Sequence, residues 1–391
     1  MSKINDLIKE LCPNGVIFKK LDEACTKIYA GGTPSTSHEG YYGGNIKWLR
    51  SGEINFNELY NTEIKITDAG LNNSSAKIIP SHSVVIAMTG ATVARTAMIM
   101  EDMSMNQSVC ALIPKDELNY RFLYQLLSNK YLELKQFGQG VLTSLNLDRI
   151  KKITIPVPPI EVQEEIVRIL DKFGELEAEL EAELEARKSQ YEFWRGKLLN
   201  DGNELVKLKE ICTYSNDRIS YDKLNEDNYV GVDNLLQNKK GKTKSYHVPT
   251  SGNSTKFEKN DILVGNIRPY LRKIWFADCY GGTNGDVLDI RVNDTKKIYP
   301  RFLYYVLSSE AFFEYNNSNS KGAKMPRGDK QAIMNYDFAV PSIEKQIHIA
   351  NVLDQFDKLV NNISVGLPAE IELRRKQYEY YRNKLLSFEE L

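Results

Sequence analysis

The chain contains two pairs of closely similar segments, and this duplication constrains its fold more than any other feature. VPPIEVQEEIVRILDKF at residues 157–173 returns as VPSIEKQIHIANVLDQF at residues 340–356, a shift of 183 positions. RKSQYEFWRGKLL at residues 187–199 returns as RRKQYEYYRNKLL at residues 374–386, a shift of 187. Two separated blocks preserved in this way indicate two similar modules, each carried on a similar helical segment.

Apolar residues in both helical segments recur at steps of three and four. Such spacing predicts amphipathic helices whose apolar faces pack on each other, although two independent surface helices would show the same pattern. The run ELEAELEAELEA at residues 175–186 predicts an unbroken central helix, whereas Gly366 and Pro368 predict a stop and restart in its twin. The predicted packing positions are Leu170, Phe173, Leu176, Leu180, Leu184, Tyr191, Trp194, Leu353, Phe356, Leu359, Tyr378 and Tyr381.

The stretches before the two helical segments also resemble each other. KKLDEACT parallels VKLKEICT, SVVIAMTGATVARTAMIM corresponds to DILVGNIRPYLRKIWFAD, and NYRFLYQLLSN matches YPRFLYYVLSS. Short β-branched runs bounded by Gly, Pro and Asn alternate with one clear helix at each RFLY motif, which predicts two mixed α/β domains with twisted sheets. The predicted organisation is a first domain at 1–155, a central spacer at 156–200, a second domain at 201–340 and a C-terminal spacer at 341–391.

Composition excludes several classes of protein. No run approaches 18 apolar residues, no signal peptide is recognisable, and the five cysteines form no CxxC pair, so we expect a cytoplasmic protein without a membrane span, disulfide framework or zinc site. The net charge of −1 divides unevenly. Residues 156–200 carry a net −5, while residues 1–155 and 201–340 carry +2 and +3, which permits binding to a phosphate backbone.

Catalytic motifs are not recognisable in the sequence. The segment Gly241-Lys242-Thr243 ends like a phosphate-binding loop, but position 236 is Leu where the motif requires Gly. The four histidines have no metal-ligand spacing, and neither GxSxG nor an Asn/Asp-Pro-Pro-aromatic motif occurs. We therefore expect no catalytic residues, no metal site and no cofactor in this chain.

Polar loops suited to nucleic acid are plentiful instead. Arg and Asn suit base edges in the major groove, while Lys, Ser, Thr and glycine-rich backbone suit phosphates, although a structural role is about as plausible for each single residue. Four loops carry the candidates: AGGTPSTS, MTGATVARTA, GNIRPYLRK and KGAKMPRGDK. The candidate residues are Thr33, Ser35, Thr36, Thr89, Thr92, Arg95, Asn266, Arg268, Arg272, Lys273, Lys321, Lys324, Arg327 and Lys330.

Over essentially its full length the chain resembles a specificity subunit of a Type I restriction–modification system. The likeness is carried by GGTPST, YYGGNIKWLRSGEI, IAMTGATVARTA, NQSVCALIP and SLNLDRIKKI in the first domain. It continues in NYVGVDNLL, GNIRPYLRKIWFAD, GGTNGDV and KGAKMPRGDK in the second and in the repeated helical blocks. Through these motifs the resemblance adds Arg50, Ser144, Asn146 and Arg149 to the candidates.

The resemblance implies a non-catalytic subunit with two target-recognition domains joined by two long antiparallel, coiled-coil-like helical spacers in a pseudo-twofold repeat. Each domain would read one half of a split, asymmetric site in double-stranded DNA. The spacers would dock modification subunits that methylate adenine with S-adenosylmethionine, and restriction subunits would supply cleavage driven by ATP with Mg²⁺. Three alternatives remain at this stage: a binding protein of this architecture that acts only in modification or exchanges partners, a self-contained methyltransferase or nuclease, and a coiled-coil scaffold without a role in DNA binding.

Overall fold

The computed structural model describes residues 2–136, 145–201, 204–361 and 366–391. The chain divides into two compact units. Unit 1 comprises Met1–Leu180 with Ile371–Leu391, and unit 2 comprises Glu181–Glu370. Each unit combines β-sheets with helices, so the predicted pair of mixed α/β units with long helices is confirmed.

Unit 1 contains a five-stranded sheet in the order β2-β10-β7-β8-β4, a four-stranded sheet in the order β5-β3-β9-β6, and the pair β1-β11. Its strands are β1 Phe18–Lys20, β2 Cys25–Ala30, β3 Tyr42–Leu49, β4 Glu58–Leu59, β5 Lys65–Ile66, β6 Ile78–Ile79, β7 Ser83–Ala87, β8 Thr96–Ile99, β9 Met103–Met105, β10 Val109–Pro114 and β11 Thr154–Pro156. Its helices before the spacer are α1 Ser2–Leu11, α2 Leu21–Ala24, α3 Asp68–Asn72, α4 Tyr120–Asn129, α5 Tyr131–Gln136 and α6 Leu147–Lys151.

The central spacer is one helix, α7 Ile160–Leu199, as the Glu-rich repeat predicts. Unit 2 repeats the plan of unit 1 with the sheets β13-β20-β17-β18 and β14-β16-β19-β15 and the pair β12-β21. Its strands are β12 Glu204–Lys207, β13 Cys212–Tyr214, β14 Arg218–Ser220, β15 Tyr229–Val230, β16 Asn253–Phe257, β17 Ile262–Gly265, β18 Ile274–Phe276, β19 Gly281–Thr283, β20 Val287–Val292 and β21 Asp337–Val340. The remaining helices are α8 Leu208–Ile211, α9 Pro300–Leu307, α10 Glu310–Ser318, α11 Lys330–Met334, α12 Ile343–Asn361 and α13 Leu367–Leu385.

Two buried glutamines explain why the first repeated block is preserved. Gln163 is fully buried and accepts a hydrogen bond from Asn119 N at 2.8 Å, while its Nε2 donates to the carbonyl oxygens of Glu117 at 2.8 Å and Pro158 at 2.7 Å. Gln346 makes the same three bonds in unit 2, with Tyr299 N, Lys297 O and Pro341 O. Because these bonds satisfy backbone groups next to an RFLY helix, each glutamine fixes the start of a spacer helix to its unit.

Ion pairs reinforce the same junction in both units. Arg121 of α4 donates to Asp171 of the LDKF motif at 3.0 Å, and Arg301 of α9 pairs with Asp354 of the LDQF motif at 2.6 Å. Tyr305 Oη also donates to Asp354, at 2.5 Å. The first repeated block therefore encodes the attachment of a spacer helix to the RFLY helix.

The second repeated block attaches the opposite end of each spacer segment. In unit 2, Arg195 of α7 is 4% exposed and donates to Tyr305 O at 3.1 Å and Ser308 Oγ at 2.7 Å. Its counterpart in unit 1, Arg382 of α13, donates to Asn129 Oδ1 at 3.2 Å. Each RFLY helix thus contacts the beginning of one helical segment and the end of the other.

The helical segments run antiparallel, as the resemblance implies. In unit 1 the Phe173 ring packs on Tyr381 with centroids 5.5 Å apart, and one turn further along α7 Glu177 pairs with Arg375 of α13 at 2.6 Å. In unit 2, Tyr191 of α7 packs on Phe356 of α12 with centroids 6.1 Å apart. Within unit 1 the partner positions on α13 decrease as α7 advances, which defines antiparallel packing there.

Most of the positions predicted for helix packing or subunit docking are at least partly buried, and two are exposed. Leu170 and Leu353 are buried, and Phe173, Leu176, Leu180, Leu184, Phe356, Tyr378 and Tyr381 are partly buried. Trp194 is 38% exposed and Leu359 is 40% exposed, because the inward positions belong to their neighbours Arg195 and Val360. One residue turns a helix by about 100°, so a slip of one position moves a side chain off the packed face.

A buried carboxylate pair gives unit 2 a predicted pH dependence. Arg291 donates to both oxygens of Asp261, whereas Asp289, only 3% exposed, lies 4.0 Å from a guanidinium nitrogen of Arg291. Burial, together with the charge of Asp261, raises the pKa of Asp289 well above its ordinary value. A raised carboxyl pKa adds stability at low pH, and this contribution is lost as pH rises through the elevated value.

Asparagine cannot ionise, so Asp289→Asn should remove the loss of stability that accompanies ionisation of Asp289 at high pH. We expect the variant to raise the free energy of unfolding by about 1–3 kcal/mol at pH 9 and by less at pH 5. Chemical denaturation at both pH values measures the difference. Asp337→Asn, at an exposed position, is the matched control and should change stability little at either pH. Equal effects of Asp289→Asn at pH 5 and pH 9 would contradict the assignment.

Candidate nucleic-acid interface

Equivalent hairpins in the two units carry turns of the same shape. The turn between β7 and β8 has positive φ at Gly90 and Ala94, and the turn between β17 and β18 has positive φ at Arg268 and Arg272, with the same spacing of four. A backbone hydrogen bond of 2.9 Å closes each turn, from Ala87 N to Arg95 O and from Gly265 N to Lys273 O. The scaffold is thus duplicated while the side chains differ.

In unit 2 the β17–β18 turn joins two other loops at one end of the sheet. Asn266 N donates to Asp286 O at 2.8 Å, and Gly328 N donates to Asn266 O at 3.1 Å. Arg268 N donates to Pro326 O at 2.7 Å. Three segments far apart in sequence, GNIRPYLRK, GGTNGDV and KGAKMPRGDK, therefore form one continuous surface.

Unit 1 repeats two of these backbone contacts. Met88 N donates to Ser108 O at 2.8 Å, and Leu145 N donates to Met88 O at 2.8 Å. These bonds correspond to those at Asn266 and Gly328, because the two units align at these positions. The candidate Ser144 lies outside the described residues.

The exposed cations of the unit 2 surface form what we call the basic ridge: Arg268, Lys321, Lys324 and Arg327. Arg268 and Arg327 lie side by side, since Ile267 forms an antiparallel bridge with Arg327. The Lys321 ammonium pairs with Asp329 at 2.5 Å and Arg327 pairs with Asp286 at 3.0 Å. Among the described residues, Arg268 and Lys324 have no ion pair and present unneutralised charge.

Arg268 also adopts a backbone conformation that disfavours a side chain. Its φ of 52° and ψ of 65° lie in the left-handed region, which costs a non-glycine residue about 1 kcal/mol. Unit 1 has glycine, Gly90, at the equivalent position. An exposed arginine held at a strained position is typical of a binding site rather than of a residue selected for stability.

The other candidates of unit 2 have structural partners. Asn266 is 5% exposed and connects the three loops through its backbone. Arg272 forms an ion pair with Glu310 at 2.8 Å, and Lys273 donates to Val232 O. Lys330 is exposed at the start of α11, where its carbonyl oxygen accepts a hydrogen bond from Tyr214 Oη.

In unit 1 the two predicted arginines are also engaged. The Arg50 guanidinium pairs with Glu63, and Arg95 Nη1 donates to Asn55 Oδ1 at 2.8 Å. Their side chains are only partly exposed, so they are less available to a ligand than Arg268. Thr89 and Thr92 lie partly buried in the hairpin turn beside Arg95.

In the glycine-rich loop of unit 1, the backbone N–H groups of the two glycines are used in hydrogen bonds within the domain and do not face a phosphate. Gly31 N donates to Val109 O and Gly32 N donates to Met105 O, so neither N–H group is directed to a phosphate. A Cβ at Gly31 would lie 2.1 Å from the Met105 carbonyl oxygen, which explains the requirement for glycine. The expectation that this backbone approaches phosphate is therefore wrong for both glycines.

The remaining candidates of unit 1 surround that loop and helix α6. Thr33 Oγ1 donates to Gln107, Ser35 Oγ lies 2.9 Å from Ser37 Oγ, and Thr36 is exposed. Asn146 caps α6 by accepting a hydrogen bond from Arg149 N at 2.9 Å, and Arg149 is exposed on that helix. Asn146 therefore has a structural role that accounts for its residue type.

Exposed aromatic and apolar side chains beside the basic ridge were missed by the sequence reasoning. Tyr270 is 52% exposed in the β17–β18 turn, and Met325 is 51% exposed between Lys324 and Arg327. The loop carrying Lys240 joins this surface, because Asn238 N donates to Leu271 O at 2.9 Å. In the sequence, this loop could have been found from its four lysines at residues 239–244.

Comparison with known proteins adds the decisive observation. The family model of the Type I restriction modification DNA specificity domain matches the chain twice, at residues 13–186 and 200–373. The chain belongs to this family. The two matches together span most of the chain and reproduce its internal duplication.

Relatives and solved structures agree with this membership. A Haemophilus influenzae protein named as a type I restriction enzyme specificity subunit is 31% identical over 72% of this chain and 76% of its own length. The Escherichia coli EcoR124I/EcoR124II specificity subunit is 31% identical over 61% of this chain and 63% of its own length. The Thermoanaerobacter tengcongensis HsdS subunit shares the fold at a TM-score of 0.55 and 15% identity, with 96% of this chain and 97% of that chain covered.

A second solved structure, from work on complex assembly and conformational transition of the type I restriction–modification system, reaches a TM-score of 0.63 at 16% identity, covering 96% of this chain and 98% of that chain. At such identities the likeness concerns the fold. Within the described residues, no helix is both long enough and apolar enough to cross a membrane.

Substitution of Arg268 should separate stability from DNA affinity. Arg268→Gly removes the strained side chain, so we expect the free energy of unfolding to rise by about 0.5–1 kcal/mol. We expect affinity for target duplex to fall by about 1–3 kcal/mol, since the free guanidinium is lost. Thermal denaturation and fluorescence anisotropy measure the two effects in the assembled complex.

Arg268→Lys is the control, because it keeps both the charge and the strained backbone. It should leave stability unchanged, and its affinity distinguishes a base contact from a phosphate contact. A base contact predicts weaker binding with altered sequence preference, whereas a phosphate contact tolerates lysine. Unchanged affinity of Arg268→Gly would exclude Arg268 from the interface.

Proposed function

We propose that this specificity subunit of a type I restriction–modification system reads a bipartite, asymmetric site in double-stranded DNA, one half with each unit. The observation that carries the proposal is the duplicated loop surface, in which two backbone hydrogen bonds are the same but the side chains differ between the two units. A common scaffold with divergent side chains is what two readers of different half-sites require.

The spacer helices support a second part of the proposal, the docking of two modification subunits. Exposed large side chains on these helices include Phe193 at 65%, Trp194 at 38% and Tyr380 at 61%. Phe193 and Tyr380 are equivalent in the duplicated blocks, so each unit presents an aromatic residue at the same helical position. Exposed aromatic residues are enriched at protein–protein contacts.

Chemistry in this proposal belongs to the partner subunits. The modification subunits would transfer a methyl group from S-adenosylmethionine to adenine, and restriction subunits would use ATP with Mg²⁺ to translocate and cleave DNA. The chain contributes recognition and spacing. The proposal does not extend to a self-contained methyltransferase or nuclease, since the comparisons favour a specificity subunit.

Methylation-aware sequencing tests the proposal directly. DNA from cells that express the chain together with its modification subunit should carry methylated adenine in one split motif with two different halves. Cells that express the modification subunit alone provide the control and should lack that motif. A continuous motif, or the same motif without the chain, would contradict the proposed reading.

A further inference from the structure

Unit 1 contains a cleft that the DNA-reading surface does not use. The cleft has a volume of about 640 Å³ and is lined by the edge strand β2, the segment 77–80 and the end of α6. Lys77 and Pro80 precede β7, whereas the reading turn at Met88–Arg95 follows it. The cleft therefore lies toward the opposite end of the five-stranded sheet from that turn.

The charge of the cleft is basic. Lys27, Lys77 and Lys151 line it together with a single acidic residue, Asp22, which lies 3.8 Å from the Lys151 ammonium. Lys77 Nζ lies 5.5 Å from the centroid of the Tyr29 ring, and neither Lys27 nor Lys77 has an ion pair among the described residues. Two ammonium groups thus remain without a negative partner, which favours an anionic ligand.

The wall of the cleft is also the edge of a sheet. β2 pairs with β10 on one side, and in the described part of the chain no strand pairs with its other side. The neighbouring residues Thr26 and Lys27 are both exposed, although side chains of consecutive strand residues point to opposite faces. Both faces of β2 are therefore uncovered at these residues, and its position at the end of the sheet leaves an edge with unpaired N–H and C=O groups.

The walls supply apolar surface in addition to charge. Ile78 is 41% exposed at the cleft, and its carbonyl oxygen accepts a hydrogen bond of 2.6 Å from Tyr29 Oη. This bond fixes the position of the segment that carries Lys77. An extended peptide can therefore pair with β2 through its backbone, place acidic side chains near the lysines and pack apolar side chains on Ile78.

We propose that this cleft docks an extended acidic segment of another polypeptide, which adds a strand to the free edge of β2. A duplex could satisfy the lysines but would leave the strand edge unpaired, so the combined features favour a peptide. The equivalent positions in unit 2 do not repeat the charges, since Lys27 corresponds to Tyr214 and Lys151 to Met334. In the part of the chain that the structure describes, this charged cleft is therefore a feature of unit 1 and is not repeated in unit 2.

Fluorescence anisotropy with the full chain in its complex tests the proposal. The probe is a labelled peptide of about eight residues in which glutamate alternates with valine or threonine. We expect saturable binding that weakens with added salt and falls at least tenfold in a Lys27→Glu/Lys77→Glu variant. Lys9→Glu/Lys209→Glu, which changes charge equally at exposed positions elsewhere, should bind as the unmodified chain does.

A peptide of the same sequence, N-methylated at alternate residues, separates strand pairing from charge attraction. It should bind at least tenfold more weakly, and the unmethylated peptide should slow hydrogen exchange in residues 26–30. Equal binding of the two peptides, or no binding of either, would overturn the proposal. So would a Lys27→Glu/Lys77→Glu variant that loses affinity for unrelated duplex DNA while peptide binding is unaffected, since the cleft would then contact DNA.

Discussion

Gln163→Leu is expected to lower the free energy of unfolding of unit 1 by about 3–5 kcal/mol. Leucine has a similar volume but leaves Asn119 N and the carbonyl oxygens of Glu117 and Pro158 without their side-chain partner. Each buried polar group left unsatisfied costs about 1–3 kcal/mol. Hydrogen exchange followed by mass spectrometry, on the complex, reports the loss by region.

Gln346→Leu should have the same effect confined to unit 2, because Gln346 makes the equivalent three bonds. Gln355→Leu, at an exposed position on α12, is the matched control and should leave exchange unchanged. If either buried-glutamine variant accelerates exchange in both units alike, or in neither, the glutamines do not fix the spacer helices to their separate units.

A two-residue deletion in α7, at residues 181–182, is expected to abolish assembly of an active complex. Before the deletion, Phe173 packs against Tyr381 and Glu177 pairs with Arg375 in unit 1, and further along the helix Tyr191 packs against Phe356 in unit 2. Removing two residues turns the later part of the helix by about 200° relative to the earlier part. The α7 residues that make the unit 1 contacts and those that make the unit 2 contacts are then out of their original register by about half a helical turn.

Deleting four residues, 180–183, is the matched comparison. It turns the helix by about 400°, a residual of about 40°, and shortens it by about 6 Å. Base pairs are spaced by about 3.4 Å, so 6 Å along the DNA axis corresponds to at most about two base pairs, and an inclined helix shortens the gap by fewer. We therefore expect activity to persist with a DNA gap shorter by one base pair and both half-sites unchanged. Complex assembly is measured by size-exclusion chromatography and the gap by methylation-aware sequencing. An unchanged gap would show that α7 does not set the spacing.

The fold followed from the sequence to a large extent because the duplication constrains it twice. The RFLY helices, the unbroken α7, and the end of α12 before Gly366 were all predictable from repeated motifs and helix-breaking residues. The errors at Trp194 and Leu359 arose where a period of three or four leaves two neighbouring positions as candidates. The burial of Arg195 was not predictable from its neighbours in the sequence. Its guanidinium exchanges water for hydrogen bonds to Tyr305 and Ser308, which lie about 110 positions away in the chain.

The candidate DNA-binding surface was less predictable. Residue type identified the basic loops, but whether a cation is free depends on distant partners such as Glu310 for Arg272 and Glu63 for Arg50. The strain at Arg268 depends on a backbone conformation that no local motif specified. Sequence alone therefore located the loops, and tertiary structure was needed to rank their side chains.

The central claim is that the two units read two half-sites independently. It is tested most directly by exchanging the recognition domain of one unit. Residues 1–155 are replaced with the corresponding domain of a relative of known target, and the methylated motif is determined by methylation-aware sequencing. The account predicts that one half of the split motif changes to that of the relative while the other half is retained. A change in both halves, or in neither, would contradict it.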